Sequence, residues 1–397
     1  MISRVLVLHN RYQVPGGEDV VVANESEMLR NAGVDVEIFE VSNDQIQSSG
    51  DHLRTATEAF YSAGMRNAVA DVVRRFQPDV LHVHNFFPRL SPSVYDAAGG
   101  AAVVQTLHNY RLTCANALLF RDGRICEECL GKVFGWPGIL HRCYRDSAAG
   151  SAVVSGMNAL HRIRGTWRKK VDRYIALTDF ARRKFIEAGI AGPESIMVKP
   201  NTVRDYGQGH GGGGFFLYVG RLEPEKGVRT LLAAATTGSG LGLPLKIAGI
   251  GRLQDEVLAT MMNRQIEVLG VQTSEQVRAL MHQATALILP SQWYEGGIPM
   301  VMIEAFSAGL PVIASRIGAA TDIIEDGISG LLVSPGNPEQ LACAARNLAE
   351  NPATVAKLQL GSHANYRDYF RAPRNLEILM HIYDQAISVS RHRAVQT

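Results

Sequence analysis

The chain predicts an α/β protein built from two Rossmann-like domains in tandem, and three observations predict it. At 397 residues it exceeds what one hydrophobic core ordinarily organises, and an apolar content of 46% can fill two. Short runs of buried-type residues alternate with stretches of helical spacing along its length, the pattern of parallel βαβ units. That alternation is interrupted by Asp205 to Gly214, DYGQGHGGGG, which reads as a flexible inter-domain linker.

Each element follows in order. Val5–Leu8 is a short buried strand, and Val20–Ala32 has helical spacing and stops at Gly33. Val36–Val41 is the second strand. Glu58–Phe76 reads as one helix ahead of Pro78, and the strand Val80–Val83 follows. Ala102–Leu107 and Tyr174–Thr178 are further strands, the latter leading into a basic helix, Phe180–Ala188. Beyond the linker the alternation restarts with Phe215–Val219, Leu245–Ala248, Glu267–Leu269, Ala286–Leu289, Val312–Ala314 and Gly330–Val333. Helices over Pro338–Glu350 and Leu376–Ser388 close the chain. The domain expectation is 1–204, with a cysteine-rich insert at 111–146, then the linker 205–214, a second domain over 215–375 and a terminal helix and tail over 376–397.

Bulk charge excludes some functions. A net charge of +2 carries no nucleic-acid signature. Apolar runs stop short of the roughly eighteen residues that a spanning helix needs. The opening MISRVLVLHN reads as a strand rather than a leader, so a cytoplasmic protein is expected. Charge is uneven, however: Arg111 to Lys184 holds 15 Lys and Arg against 6 Asp and Glu. A solvated helix face explains this, and so does peripheral attraction to anionic headgroups on the inner face of a membrane.

The segment Ser291–Ser315 places Glu295 on a loop, then Gly296, Gly297, Ile298 and Pro299, then a helix that opens at Met300 and holds Glu304. Backbone N–H groups at such a helix start favour an anion. Two carboxylates around an anion site suit a ligand that is part phosphate and part polyol, and a nucleotide sugar is both. In YVGRLEPEKGV, Gly220 permits a turn after a strand, and Arg221 and Lys226 then lie at the carboxyl edge of a parallel sheet. Two cations there suit a diphosphate, though ion pairs with Glu223 or Glu225 would use the same charges. Gly16 and Gly17, in QVPGGE after the first strand, allow backbone to approach a phosphate or simply make a turn. Gly249, in IAGIG, ends another strand. His108 ends the strand QTLHNY, where a lone histidine is more often structural than catalytic. His82 and His84 flank a further strand end, and His84–Phe86 either lines an acceptor or packs.

Cys114, Cys126, Cys129 and Cys143 fall within 30 residues as C-x11-C-x2-C-x13-C. Four thiolates make a closed tetrahedral structural zinc site, and His141 could replace one of them. Buried free thiols, disulfides and an iron–sulfur cluster are the alternatives.

Residues Pro290–Ser315 resemble the two-glutamate element of retaining glycosyltransferases of family four. The family's form is Pro-Ser, a Glu, seven residues, then Glu-Ala. Pro290-Ser291 and Glu304-Ala305 match it, but eight residues separate Glu295 from Glu304. Gly220-Arg221 to Lys226-Gly227 matches the family's G-R-x4-K-G residue by residue. Lys199-Pro-Asn and the T-x-H of Thr106–His108 also resemble family positions. The resemblance implies the GT-B fold: two Rossmann-like domains facing across a cleft, with a C-terminal helix crossing back. It implies a donor diphosphate held by Arg221 and Lys226, a glycine loop at Gly17 facing the donor, and hydrogen bonds from ribose hydroxyls to Glu304. It further implies that Glu295 and His108 bind the transferred sugar, that configuration is retained, and that protein cations serve in place of a catalytic metal. The expected partners are a UDP- or GDP-sugar donor and a glycan or lipid-linked acceptor, as in surface polysaccharide synthesis. Two other classes are weighed. An oxidoreductase would need G-x-G-x-x-G at the first strand, and the sequence has none there. A non-catalytic sugar-nucleotide binder would fit the extra residue between the glutamates.

Overall fold

The computed structural model describes residues 2–11, 16–43 and 49–396, so the Gln13–Pro15 part of the first glycine loop lies outside the described residues. The chain divides into two compact units, one of residues 1–119, 126–201 and 372–397, the other of 120–125 and 202–371.

The first unit holds β1 (Arg4–Arg11), β2 (Asp35–Ser42), β3 (Val80–Asn85) and β4 (Ala102–Leu107). A hairpin, β5 (Phe120–Arg121) and β6 (Arg124–Ile125), follows, and then β7 (Arg173–Ala176) and β8 (Ile196–Val198) of the first unit. The sheet order is β2-β1-β3-β4-β7-β8, parallel throughout. Every residue of β3 and β4 is buried, as parallel strands covered on both faces require. The C-terminal helix, Ala372–Gln396, packs on this sheet. Its Leu379, Ile382, Tyr383 and Ala386 are fully buried in one cluster with Val5, Val80 and Val104.

The second unit holds β9 (Phe216–Val219), β10 (Leu245–Ala248), β11 (Ile266–Gly270), β12 (Ala286–Leu289), β13 (Val312–Ser315) and β14 (Gly330–Val333). Its order is β11-β10-β9-β12-β13-β14, again parallel. This is the doubly wound arrangement 3-2-1-4-5-6, whose ligands bind where strand order reverses, outside the carboxyl ends of the two central strands. Here that point lies between β9 and β12.

Several expectations change. The single helix expected over 58–76 is two, Ser49–Glu58 and Ala63–Phe76. Ser62 breaks it: its side chain accepts from the Met65 N–H, and its own N–H donates to Ser91 Oγ. The strand expected to run to Thr178 ends at Ala176, because the Thr178 hydroxyl caps the helix Asp179–Glu187. The helix Ala148–Ile163, capped by Ser147, has no bounded counterpart among the elements placed from sequence. The glycine-rich stretch is anchored within the second unit, with the N–H groups of Gly209, Gly211 and Gly213 donating to the carbonyls of Ala308, His282 and Gln283.

Candidate functional site

In the second unit the loop after β9 and the loop after β12 meet at the switch point. Tyr218, buried at the end of β9, donates from its hydroxyl to the Arg221 carbonyl at 2.8 Å and so fixes the turn. Gln292 N–H donates to the Glu225 carbonyl at 2.8 Å, stitching the second loop to the first. At Gly227, φ is +71°, and an added Cβ would stand 1.8 Å from the Pro290 carbonyl oxygen, so only glycine lets the loops cross. Gly249 does the same between β9 and β10: its Cβ would meet the Gly220 carbonyl oxygen at 1.9 Å. Gly249 thus serves a backbone crossing, whereas an added Cβ at Gly220 would meet only the Tyr218 hydroxyl end, at 3.2 Å.

These loops bring Lys226 and Glu295 together across 69 residues of sequence, with Nζ 2.7 Å and 3.0 Å from the two carboxylate oxygens. Ser291 Oγ donates to the same carboxylate at 3.0 Å, and the ammonium lies 5.2 Å from the Trp293 ring centre. The expected Arg221 pair forms with Glu225, at 3.1 Å, and leaves the guanidinium more than half exposed. Glu223 turns instead to Arg252, at 2.6 Å. Lys226 therefore does not pair with Glu223 or Glu225. Gly296, Gly297 and Pro299 form the loop before the helix Met300–Ser307, and Ile298 plugs into the core. Glu304 lies on that helix, where burial raises its pKa and the nearby Arg278 offsets this in part. With eight residues between the glutamates, Glu295 is held by Lys226 and Ser291.

In the first unit Gly16 caps the helix Gly17–Asn31, and its N–H donates to Asp19 Oδ2 at 2.7 Å. That amide serves the helix's own carboxylate, and Asp19 also reaches His9 Nε2 at 2.8 Å. His108 follows β4 and is partly buried, with Nε2 3.0 Å from His84 Nδ1. Burial, then His84, holds its pKa well below the ordinary histidine value. His82 packs as a structural residue, between the Tyr383 hydroxyl at 2.7 Å and Thr106 Oγ1 at 2.8 Å. Beside His108 lies a mainly apolar cavity of about 750 Å³ lined by Phe87, Arg111, Tyr144 and Arg145, among others. Phe87 and Arg111 also line the recess at His108. Sequence reasoning passed over this cavity, because its walls come from segments far apart in the chain.

The four cysteines share one neighbourhood: burial, then the other three thiols, pushes Cys129 up to about 11. Their chemistry suits a tetrahedral ion, but among the described residues only Glu25, His82 and His84 gather three ligand atoms within 4.8 Å of one another. Much of the basic excess is engaged within its own unit, Lys170 on Asp96, Arg182 on the Ile196 carbonyl and Lys184 on Glu127 and Glu187. Among the described residues no helix is long and apolar enough to cross a membrane.

Comparison with known proteins matches residues 16–202 to the family described as glycosyl transferase 4-like domain and residues 208–363 to glycosyl transferases group 1. A glycogen synthase of Mycobacterium tuberculosis is 33% identical over 147 residues, 36% of this chain and 35% of that protein. The chain thus spans about a third of that relative's length. A D-inositol 3-phosphate glycosyltransferase of Catenulispora acidiphila is 25% identical over 84% of this chain and 77% of its own. Among solved structures, Anabaena Alr3699/HepE in complex with UDP-glucose superposes with a TM-score of 0.65 at 16% identity, covering 96% of this chain and 99% of that one. At that identity the likeness is one of fold.

Proposed function

Because this chain belongs to the group 1 glycosyl transferases, with the GT-B fold, we propose that it transfers a hexose from a nucleoside diphosphate sugar to a hydroxyl acceptor, with retention of configuration. The observation that carries this is the cluster at the β9/β12 switch point, where Arg221, Lys226, Ser291 and Glu295 converge from two loops. A diphosphate needs fixed cations, and the exposed Arg221 fork and the Lys226 point charge supply two kinds. Neutralising the departing phosphate stabilises the transition state most where charge develops, and preorganised cations do so without a catalytic metal. Glu295 holds Lys226 in place and offers acceptor oxygens to sugar hydroxyls. Glu304, on the helix after that loop, accepts from the ribose.

His108 is put forward as a residue that binds the transferred sugar. The cavity beside it takes the acceptor. Its apolar walls and its Arg111 and Arg145 suit a molecule with an apolar part and an anionic part, such as a lipid-linked glycan. A UDP-sugar or a GDP-sugar is the donor we put forward; the UDP-glucose complex of HepE supports the first.

The test is a panel of UDP-, GDP-, ADP- and dTDP-sugars scored by thermal shift and by release of free nucleoside diphosphate. One donor that both stabilises the protein and turns over, even slowly to water, is the expected result and names the substrate. Stabilisation without release, with every acceptor offered, would make the chain a binder. No stabilisation by any of them would overturn the donor site.

A further inference from the structure

Behind His108 runs a line of buried polar side chains that the transfer reaction does not itself require. His108 Nε2 lies 3.0 Å from His84 Nδ1. On the other side of that ring, His84 Nε2 stands 3.2 Å from Glu25 Oε1; the two buried atoms face each other short of hydrogen-bond alignment, and neither has another hydrogen-bond partner. Glu25 Oε1 is equally far from His82 Nδ1, but that nitrogen is already 2.7 Å from the Tyr383 hydroxyl. Glu25 Oε2 takes the Lys199 ammonium at 2.7 Å. Glu25, His84 and Lys199 are at most 4% exposed. With an ammonium on one carboxylate oxygen and a hydroxyl on His82, the set is a proton network rather than a cation site.

The protons can be assigned in sequence. Burial opposes ionisation of Glu25, but Lys199, then His82 and His84, outweigh it and hold the carboxyl well below its ordinary range. An ionised carboxylate only accepts. A bare Nε2 on His84 would set two lone pairs against each other in a buried pocket, so Nε2 carries the hydrogen. Burial, then His82, keeps His84 neutral with a pKa of about 4, so its Nδ1 is a lone pair. That lone pair needs a donor, and the atom facing it is His108 Nε2. His108 is neutral as well, which leaves its own Nδ1 bare.

We propose that Glu25 is a positioning residue which, through His84, fixes His108 as the Nε2–H tautomer, so that the free edge of His108 is an acceptor that holds a hydroxyl and rejects a phosphate oxygen. The consequence for the ligand rests on the reading of His108 as a residue at the sugar; the tautomer does not. A phosphate oxygen is itself an acceptor and would need a hydrogen on Nδ1, the opposite tautomer. Glu25 lies on the first helix and Lys199 lies just after β8, so the network ties the first and last parts of the unit's sheet to the ring that faces the ligand.

The experiment is long-range proton–nitrogen correlation on the whole chain labelled with ¹⁵N-histidine, without ligand, near pH 7.5. His108 is assigned by the signal lost in His108→Gln. The expected result is a protonated Nε2 and a bare Nδ1. In Glu25→Gln the amide oxygen stays on Lys199 and the amide nitrogen turns to His84, so both rings should flip and His108 should become the Nδ1–H tautomer. If that variant does not fold, His84→Leu cuts the same line and should leave His108 as a mixture of both tautomers. An Nδ1–H or doubly protonated His108 in the unaltered chain would overturn the proposal, as would a His108 that neither variant changes. Because no ligand is present, failure of the donor assignment leaves this outcome standing on its own.

Discussion

Lys226 has two possible partners at once, the carboxylate that holds it and the anion it would neutralise. Its ion pair with Glu295 is one-fifth exposed or less on either side, so it is screened only in part and its loss is a local event. Lys226→Ala should lower nucleoside diphosphate release by on the order of 100- to 1000-fold, the cost of removing one preorganised charge-stabilising group. Steady-state rates on the folded variant check this, and unchanged kinetics would remove the diphosphate assignment. Glu304 makes a second prediction. Burial raises its pKa above the ordinary glutamate value, with Arg278 opposing, so it takes up a proton earlier than an ordinary glutamate as pH falls. Protonation turns one acceptor oxygen into a donor and would weaken the hold on ribose hydroxyls proposed for it. Nucleotide affinity should therefore fall on acidification with a midpoint above 4.5, and Glu304→Gln should abolish that dependence in a calorimetric titration across pH. Of these charges, the sequence revealed only the local pair: Arg221 and Glu225 are four apart. Lys226 with Glu295, and Glu25 with Lys199, join through folded topology, and no spacing rule announces them.

Glycines at the element ends divide into those the backbone requires and those it does not, and substitution separates the two. At Gly227 an alanine would need a left-handed conformation and would push the Pro290 carbonyl aside. Gly227→Ala should cost at least about 2 kcal/mol. For a unit of this size that lowers the melting temperature by about 4–8 °C. Gly16 is extended, and nothing stands within 4 Å of an added Cβ. Gly16→Ala should cost no more than about 1 kcal/mol, alanine being the poorer N-cap, and shift the melting temperature little. Lost donor affinity in that variant, with the melting temperature held, would then report a ligand approaching the helix start; unchanged affinity would remove Gly16 from the site. Element positions were legible where the residues themselves decide them. The strands Ala102–Leu107, Ala286–Leu289 and Gly330–Val333 match because apolar runs of that length between turn residues have one stable use in a parallel sheet. The break at Ser62 and the end of β7 at Ala176 were hidden, because a hydroxyl that caps a helix and one that sits inside it are the same residue in sequence. The helix Ala148–Ile163 was hidden differently, by small residues that give a weak periodic signal beside a conspicuous charge excess.

At the scale of the molecule the two units share a doubly wound plan but invest differently in charge. The second gathers exposed or part-exposed pairs at the β9/β12 switch point. The first buries His82, His84, Glu25 and Lys199 at the carboxyl ends of its central strands and beside them, where apolar packing would be the simpler choice. That burial makes stability depend on pH in a fixed direction. His84 has a folded pKa of about 4 against an ordinary value of 6.5, and His108 is shifted the same way. Below pH 6.5 the unfolded chain takes up protons that the folded one refuses, so the stabilisation is complete above 6.5 and is lost as pH falls toward 4. His84 contributes a slope of about 1.4 kcal/mol per pH unit in that window, and His108 adds to it in the same direction. Glu25 adds to the loss below 4.5, since its carboxylate too is favoured in the folded state, by Lys199 and the two imidazoles acting against burial. Amide exchange of β3 and β4, followed from pH 7.5 to 4.5, should show the first unit opening progressively more easily, while His84→Leu should open with a shallower pH slope. A profile that is flat through this window in the unaltered chain would mean that these rings stay hydrated and that the first unit does not hold them neutral.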